Sequence, residues 1–299
     1  MPLRLLRNLF KPNPSVALVR AAKAGELETV LGLLDGGAPV DGVAEQVFPL
    51  FAAAFYGHVE VVRLLRERGA SLELTVAEDT TPLHALAQPD LAAEVCEAIL
   101  EGATDVDRNT NGMTPLMVAC QFNRQPMVEA LLAHGAQVNA AMPGSQEIAA
   151  FPGDVKGFTP LVFALQNGND DLVPVLLDAG ARLGARLAHG ATELIVAASA
   201  SGPRAIEALV AAGADPNHTI ASGLLKDTTA LQTACLVPPS LKQSGTAVEV
   251  GVYLANRLNV VRALLAAGAD GSATSPAGVV ARGVAKKSGL LKLEPGLFD

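Results

Sequence analysis

With 299 residues, half of them hydrophobic and 17% charged, the chain is ordered rather than disordered, and at this length a globule would divide into domains unless the sequence repeats. Its formal charge of −8 is unevenly spread: residues 1–23 carry five basic groups and no acid, residues 271–293 four basic groups and no acid, and residues 24–270 hold 13 basic against 28 acidic groups. An acidic body of this kind argues against nucleic acid as a partner, because phosphate contacts need a concentrated positive field, and it favours a protein partner.

In chain order, Leu3, Leu6, Leu9 and Phe10 share one helical side with Arg4, Arg7 and Lys11 around them. This reads either as a cap over an exposed end, which is preferred, or as a membrane-surface targeting helix. Pro12 and Pro14 separate it from a degenerate first unit from Ser15, and Arg4 and Arg7 break any apolar signal-peptide core. Units two and three begin at Gly42 and Thr75, the second with the aromatic pair Phe55-Tyr56 before Gly57-His58.

The fourth unit, from Gly112 to Ala140, is the most complete. Thr114 caps a helix that starts at Pro115, where a missing N–H costs nothing. Leu116, Ala119 and Cys120 form its buried stripe, and a turn follows Phe122. Pro126 opens a second helix with Met127, Val128, Leu131 and Leu132 on one face, and Gly135 closes it.

An insertion, Ala141–Asp154, lengthens the loop before the fifth unit; such loops often carry function, although their lengthening also costs little. Pro174 falls in the first turn of that unit's outer helix, and Glu193 replaces the opening proline of the sixth. In the seventh unit a second insertion, about Val237 to Asn256, either divides the two helices or extends the outer helix backwards. The chain closes with an imperfect half-unit whose Arg282, Lys286, Lys287 and Lys292 can face water.

The spacing is regular. Opening prolines stand at 49, 82, 115 and 160, and closing Gly-Ala pairs begin at 37, 69, 102, 135, 180, 213 and 268, a 33-residue frame broken by the insertions. TTPLHALA from Thr80, YGHVEVVRLL from Tyr56 and AGADPN from Ala212 resemble the start, turn and exit motifs of the ankyrin repeat family. The resemblance covers roughly residues 15–293 and implies an all-α solenoid of about seven helix-turn-helix repeats with short hairpin loops and helical caps. Residues 1–14 would be an N-terminal capping or targeting helix, 15–272 one elongated repeat domain and 273–299 a C-terminal capping half-repeat. The family's start histidine survives only as His84, replaced by Phe51, Met117, Val162, Ile195 and Gln232, which removes a polar contact between repeats.

No nucleophile elbow, phosphate loop or dinucleotide fingerprint is present, and no enzyme activity, metal or cofactor is expected. His58 and His84 match structural positions of the repeat, and His134 stands where a polar group suits the last carbonyls of a helix. Cys96, Cys120 and Cys235 lie on core stripes and are odd in number, which fits inert thiols in a reducing, cytoplasmic compartment. No apolar run is long enough to span a membrane, and a membrane is not an expected partner.

The remaining candidate is surface. The resemblance implies that partners contact the finger tips and the exposed side of the inner helices, the concave face. There the sequence places Phe55, Tyr56, Met113, Gln121, Phe122, Phe158, Gln166 and Asn167. Large apolar groups clustered on such a face are candidate hot spots. The expected role is a non-catalytic protein-binding module, monomeric when free, acting as inhibitor or scaffold. An immunity protein neutralising a toxin, a membrane-peripheral adaptor and a secreted effector remain alternatives.

Overall fold

The computed structural model describes residues 13–74, 83, 91–103, 105–107, 112–143, 156–185, 187–223, 226–236, 247–274 and 280–298. The N-terminal segment around Leu3 to Phe10, His84, most of the first insertion and residues 237–246 of the second lie outside the described residues. Fifteen α-helices carry the fold among them. Contacts gather the chain into two compact units, Met1–Gln137 and Val138–Asp299.

In the first unit, α1 (Pro14–Ala24) and α2 (Leu27–Asp35) form repeat one, and α3 (Pro49–Phe55) and α4 (Val59–Glu67) repeat two. Repeat three contributes α5 (Ala93–Leu100), and repeat four α6 (Pro115–Gln121) and α7 (Gln125–Ala133). Helices pair within repeats one, two and four and pack across repeat boundaries: α1 on α3, α2 on α4, α4 on α5, α5 on α7. In the second unit, α8 (Pro160–Gln166) pairs with α9 (Leu172–Asp178), α10 (Glu193–Ala200) with α11 (Pro203–Ala211), and α12 (Ala230–Ala234) with α13 (Ala247–Ala266). α14 (Ala281–Ser288) and α15 (Leu290–Leu293) close that unit, with Arg282, Lys286, Lys287 and Lys292 exposed as expected.

Most of these helices have seven to eleven residues, too short to persist alone. Stacked apolar stripes hold them, including Leu50, Ala53, Val62 and Leu65 in repeat two and Leu116, Cys120, Val128 and Leu131 in repeat four, all at most 1% exposed. The starts are set locally. Thr114 Oγ1 accepts from Met117 N at 3.3 Å, Thr159 Oγ1 from Val162 N at 3.4 Å and Thr229 Oγ1 from Gln232 N at 3.3 Å. Each such cap contributes about 1 kcal/mol. The glycine of each closing Gly-Ala pair, at 37, 69, 102, 135, 180, 213 and 268, has φ between +67° and +95°, which lets the chain leave the outer helix in a left-handed turn.

Pro14 differs from expectation. It sits in the first turn of α1 behind the Asn13 cap instead of separating repeat one from the segment before it. The second insertion's end is helix: α13 runs 20 residues, the backward extension rather than a divided loop.

Adjacent repeats are also tied by polar groups at the exits. Asp41 Oδ1 accepts from Ser71 N at 3.0 Å and Asp107 Oδ1 from Gln137 N at 2.9 Å. Asn139 and Asn217 do more. Their amides accept from Arg182 N at 2.8 Å and Asp270 N at 2.7 Å and donate to Gly180 O at 2.9 Å and Gly268 O at 3.1 Å.

Candidate functional site

The partner-facing positions are created where each inner helix stops. Tyr56, Phe122 and Asn167 are the residues that end α3, α6 and α8, so they occupy equivalent places in their repeats. In the first unit Tyr56 and Phe122 are 48% and 47% exposed, an unusual position for two rings in a chain with 4% aromatic residues. Asn123, with φ +55°, turns the chain sharply after Phe122.

The other predicted residues divide between surface and core. Phe55 is half-buried, stacked on Phe51 with ring centroids 5.7 Å apart and meeting Tyr56 edge-on at 5.2 Å. Met113 and Gln121 are half-buried. In the second unit Gln166 and Asn167 are exposed, and Asn167 Nδ2 donates back to Phe163 O at 2.8 Å. Phe158 is less exposed than the Tyr56 and Phe122 rings. It is half-buried and packs edge-on against Phe163, which is 0% exposed, at 5.6 Å. Its backbone lies at the hairpin base, where Met142 N donates to Phe158 O at 2.9 Å and Gly157 N to Met142 O at 3.1 Å.

The histidines serve the frame. His58 Nε2 lies 3.0 Å from Lys23 O, across the boundary between repeats one and two. Its ring closes over Gly25, where φ is +73° and a Cβ would come within 2.6 Å of His58 Nδ1. His134 Nδ1 lies 2.9 Å from Ala130 O, the expected use at a helix end. Among the described residues no group of three or more His, Cys, Asp or Glu could hold a metal ion. The thiols are buried and form no disulfide; burial pushes Cys96 up to about 11 and Cys235 up to about 12, and raises Cys120 as well, so none is a ready nucleophile.

An open hollow of about 510 Å³ beside Arg63, Arg66, Glu67, Glu101 and Gly102 offers little free chemistry. Arg66 already donates to Ala70 O at 2.8 Å and Glu101 O at 2.9 Å.

Several structural anchors are not legible in the sequence pattern. Glu193, where a proline is usual, is only 2% exposed, and its Oε1 accepts from Gly184 N at 2.8 Å and Ala185 N at 2.7 Å. Gln232 stands in the missing histidine's place and reaches the next loop through Ala273 O at 3.1 Å. Arg257, 5% exposed on α13, donates to Ala198 O at 2.7 Å and Ser201 O at 2.5 Å, capping the carbonyl end of α10. On the surface, Glu45 Oε1 lies 3.4 Å from Arg20 Nη2. The broken motif at Glu193 and the helical extension to Arg257 are the signals that point to them; the contacts themselves join residues 56 or more apart for Arg257 and 41 apart for Gln232.

Comparison with known proteins agrees with this architecture. A three-copy ankyrin repeat model matches residues 71–142 and a single ankyrin repeat model residues 47–75. Ankyrin repeat protein nuc-2 of Neurospora crassa is 32% identical over 135 residues, 44% of this chain and 13% of that protein. Neurogenic locus notch homolog protein 4 of Homo sapiens is 39% identical over 105 residues, 34% of this chain and 5% of that protein, so the chain spans only a small part of either relative. The crystal structure of the human ASB11 ankyrin repeat domain is similar with a TM-score of 0.59 and 25% identity, covering 84% of this chain and 96% of that one. The 33-residue frame, the paired helices with left-handed exits and these similarities agree: the chain belongs to the ankyrin repeat family.

Proposed function

We propose that this chain is a non-catalytic module that recognises a protein partner through the inner-helix side of its repeats, as an inhibitor or scaffold. Ankyrin repeats are generally protein–protein interaction modules. The observation that carries the reading is the pair of exposed rings, Tyr56 and Phe122, at equivalent turns of the first unit. Such rings bury large area at small entropy cost, and a preformed backbone reduces the ordering that binding requires. Phe55, Met113 and Gln121 would flank them in that unit, and Gln166 and Asn167 would offer polar contacts from the second, with Phe158 supporting from beneath. In this reading the partner is a protein rather than nucleic acid or a membrane. The three buried thiols suit the cytoplasm, and no helix among the described residues is long and apolar enough to cross a membrane.

The test is affinity capture from native lysate with the wild-type chain and the Tyr56→Ala, Phe122→Ala double variant, each checked for an unchanged melting temperature. A hot-spot ring contributes roughly 2 kcal/mol or more, so the double variant should lose a partner that the wild type retains. Equal retention by both baits would remove the inner-helix face from the proposal.

A further inference from the structure

The face of repeats one and two has a chemistry of its own. Arg20 and Lys23 are exposed and lie one turn apart on α1, so they share a side of that helix. Lys23 Nζ stands 5.2 Å from the centroid of the Tyr56 ring, and the His58 ring holds the end of α1 through Lys23 O. Behind Tyr56 the rings of Phe55 and Phe51 continue the wall. One of two exposed cations thus meets the first of three neighbouring aromatic rings, in a unit whose acidic groups outnumber its basic ones.

The finger between these repeats adds a second observation. Ala44 and Val47 bond to each other in both directions, at 3.1 and 2.9 Å, around Glu45 and Gln46 with φ of +54° and +60°. This is a two-residue hairpin turn of the type that normally takes Asn-Gly, built here from two residues that tolerate it poorly. The strained tip delivers a carboxylate to Arg20: Glu45 Oε1 lies 3.4 Å from Arg20 Nη2, with the side chains 72% exposed for Arg20 and 69% for Glu45. An ion pair so exposed contributes under about 1 kcal/mol and gives way readily to a better-placed carboxylate.

Resting on the reading that this face binds protein, we infer that the Arg20, Lys23 and Tyr56 surface takes an acidic segment of a partner protein, whose carboxylate engages Arg20 and Lys23 while an adjacent apolar side chain lies against Phe55 and Tyr56. Glu45 occupies the carboxylate's place until the partner arrives. Arg20 suits this role because its planar fork can hold a carboxylate through two parallel hydrogen bonds, one more than the single contact to Glu45 supplies. At physiological salt the Debye length is about 8 Å, so distant charges of the unit are screened and the groups nearest the contact set its sign.

The inference is tested by selecting ligands for the intact chain from a phage library of random peptides about a dozen residues long, then titrating a fluorescein-labelled copy of the enriched sequence by anisotropy. The enriched peptides should pair Asp or Glu with a neighbouring Leu, Ile or Phe. The Arg20→Glu, Lys23→Glu variant should raise Kd by about tenfold or more, the loss of roughly 1.4 kcal/mol of contact. Glu45→Gln should lower Kd by about twofold to fivefold, matching removal of a weak competing pair. Melting temperatures of both variants confirm that they fold. Enriched peptides that are neutral or basic, or a Kd that does not move in opposite directions in the two variants, overturn the inference while leaving a protein-binding face in place. A selection that enriches no peptide at all overturns the inference together with the reading it rests on.

Discussion

At the scale of single residues, stability turns on buried polar groups that each have one set of partners. Glu193 is the clearest, because its side chain satisfies the N–H groups of both Gly184 and Ala185 in place of the lost proline. Glu193→Ala leaves two backbone donors unsatisfied and should cost about 2–4 kcal/mol in urea denaturation, whereas Glu193→Gln, which keeps an acceptor oxygen, should recover a good part. Equal stability of the alanine variant would show that water replaces the carboxylate without loss. Asp170 tests the opposite balance. Its Oδ2 accepts from Gly202 N at 2.7 Å, its Oδ1 is buried without a partner, and burial raises its pKa against the help of Gly202, Ser201 and Arg257. The folded state therefore holds the proton more tightly than the unfolded chain. The carboxylate costs stability at neutral pH, and that cost is withdrawn as pH falls through the raised value toward the ordinary carboxylate pKa near ~4. Asp170→Asn keeps an oxygen for Gly202 and should be at least as stable as wild type at pH 7, with the difference narrowing on acidification. A clearly less stable variant at pH 7 would mean that attraction to Arg257 outweighs burial.

At the scale of elements, the same finger that presents Glu45 is held in a turn its sequence does not favour. A non-glycine residue in the left-handed region costs about 1–2 kcal/mol, so Gln46→Gly should raise the melting temperature, measurable by calorimetry; an unchanged or lower value would mean that the Gln46 side chain makes contacts that offset the strain. Much of the element pattern is legible in the sequence, because its causes are local. Proline at the first turn, a threonine cap and a glycine exit each act within four residues, and they place α6, α7 and the early-turn Pro174 correctly. What is not legible depends on depth or distance. The frame puts Phe122 and Phe158 on nominally similar surface, but Phe158, whose carbonyl is bonded by Met142 N at the hairpin base, packs its ring on Phe163. The periodicity of the second insertion fits both loop and helix. Tyr253 Oη donating to Leu236 O at 3.1 Å and Arg257 reaching the end of α10 are contacts of the helical solution, made with residues 17 and 56 or more positions away.

At the scale of the molecule, the contacts run from each repeat to its sequence neighbours: α1 touches α2 and α3, α10 touches α8, α11 and α12, and α13 ends against α15. A chain wired this way has stability that is close to a sum of repeat and interface contributions, so damage should stay near its origin. Leu18 makes the case sharp, since it is 0% exposed in α1, the first described helix. Leu18→Ala removes buried area and leaves a cavity, at a cost of about 2–5 kcal/mol. In hydrogen exchange read by mass spectrometry, that cost should appear as faster exchange in α1 to α4, where repeats one and two lean on each other, and as unchanged protection in α8 to α13. The binding consequence comes from the same wiring. A partner that uses Tyr56 and Lys23 would be lost along with the order of repeat one, while contacts through Gln166 and Asn167 would survive. Uniformly faster exchange across both units would instead show that the whole chain opens in a single cooperative step, and that a defect in one repeat is felt at every site the chain offers.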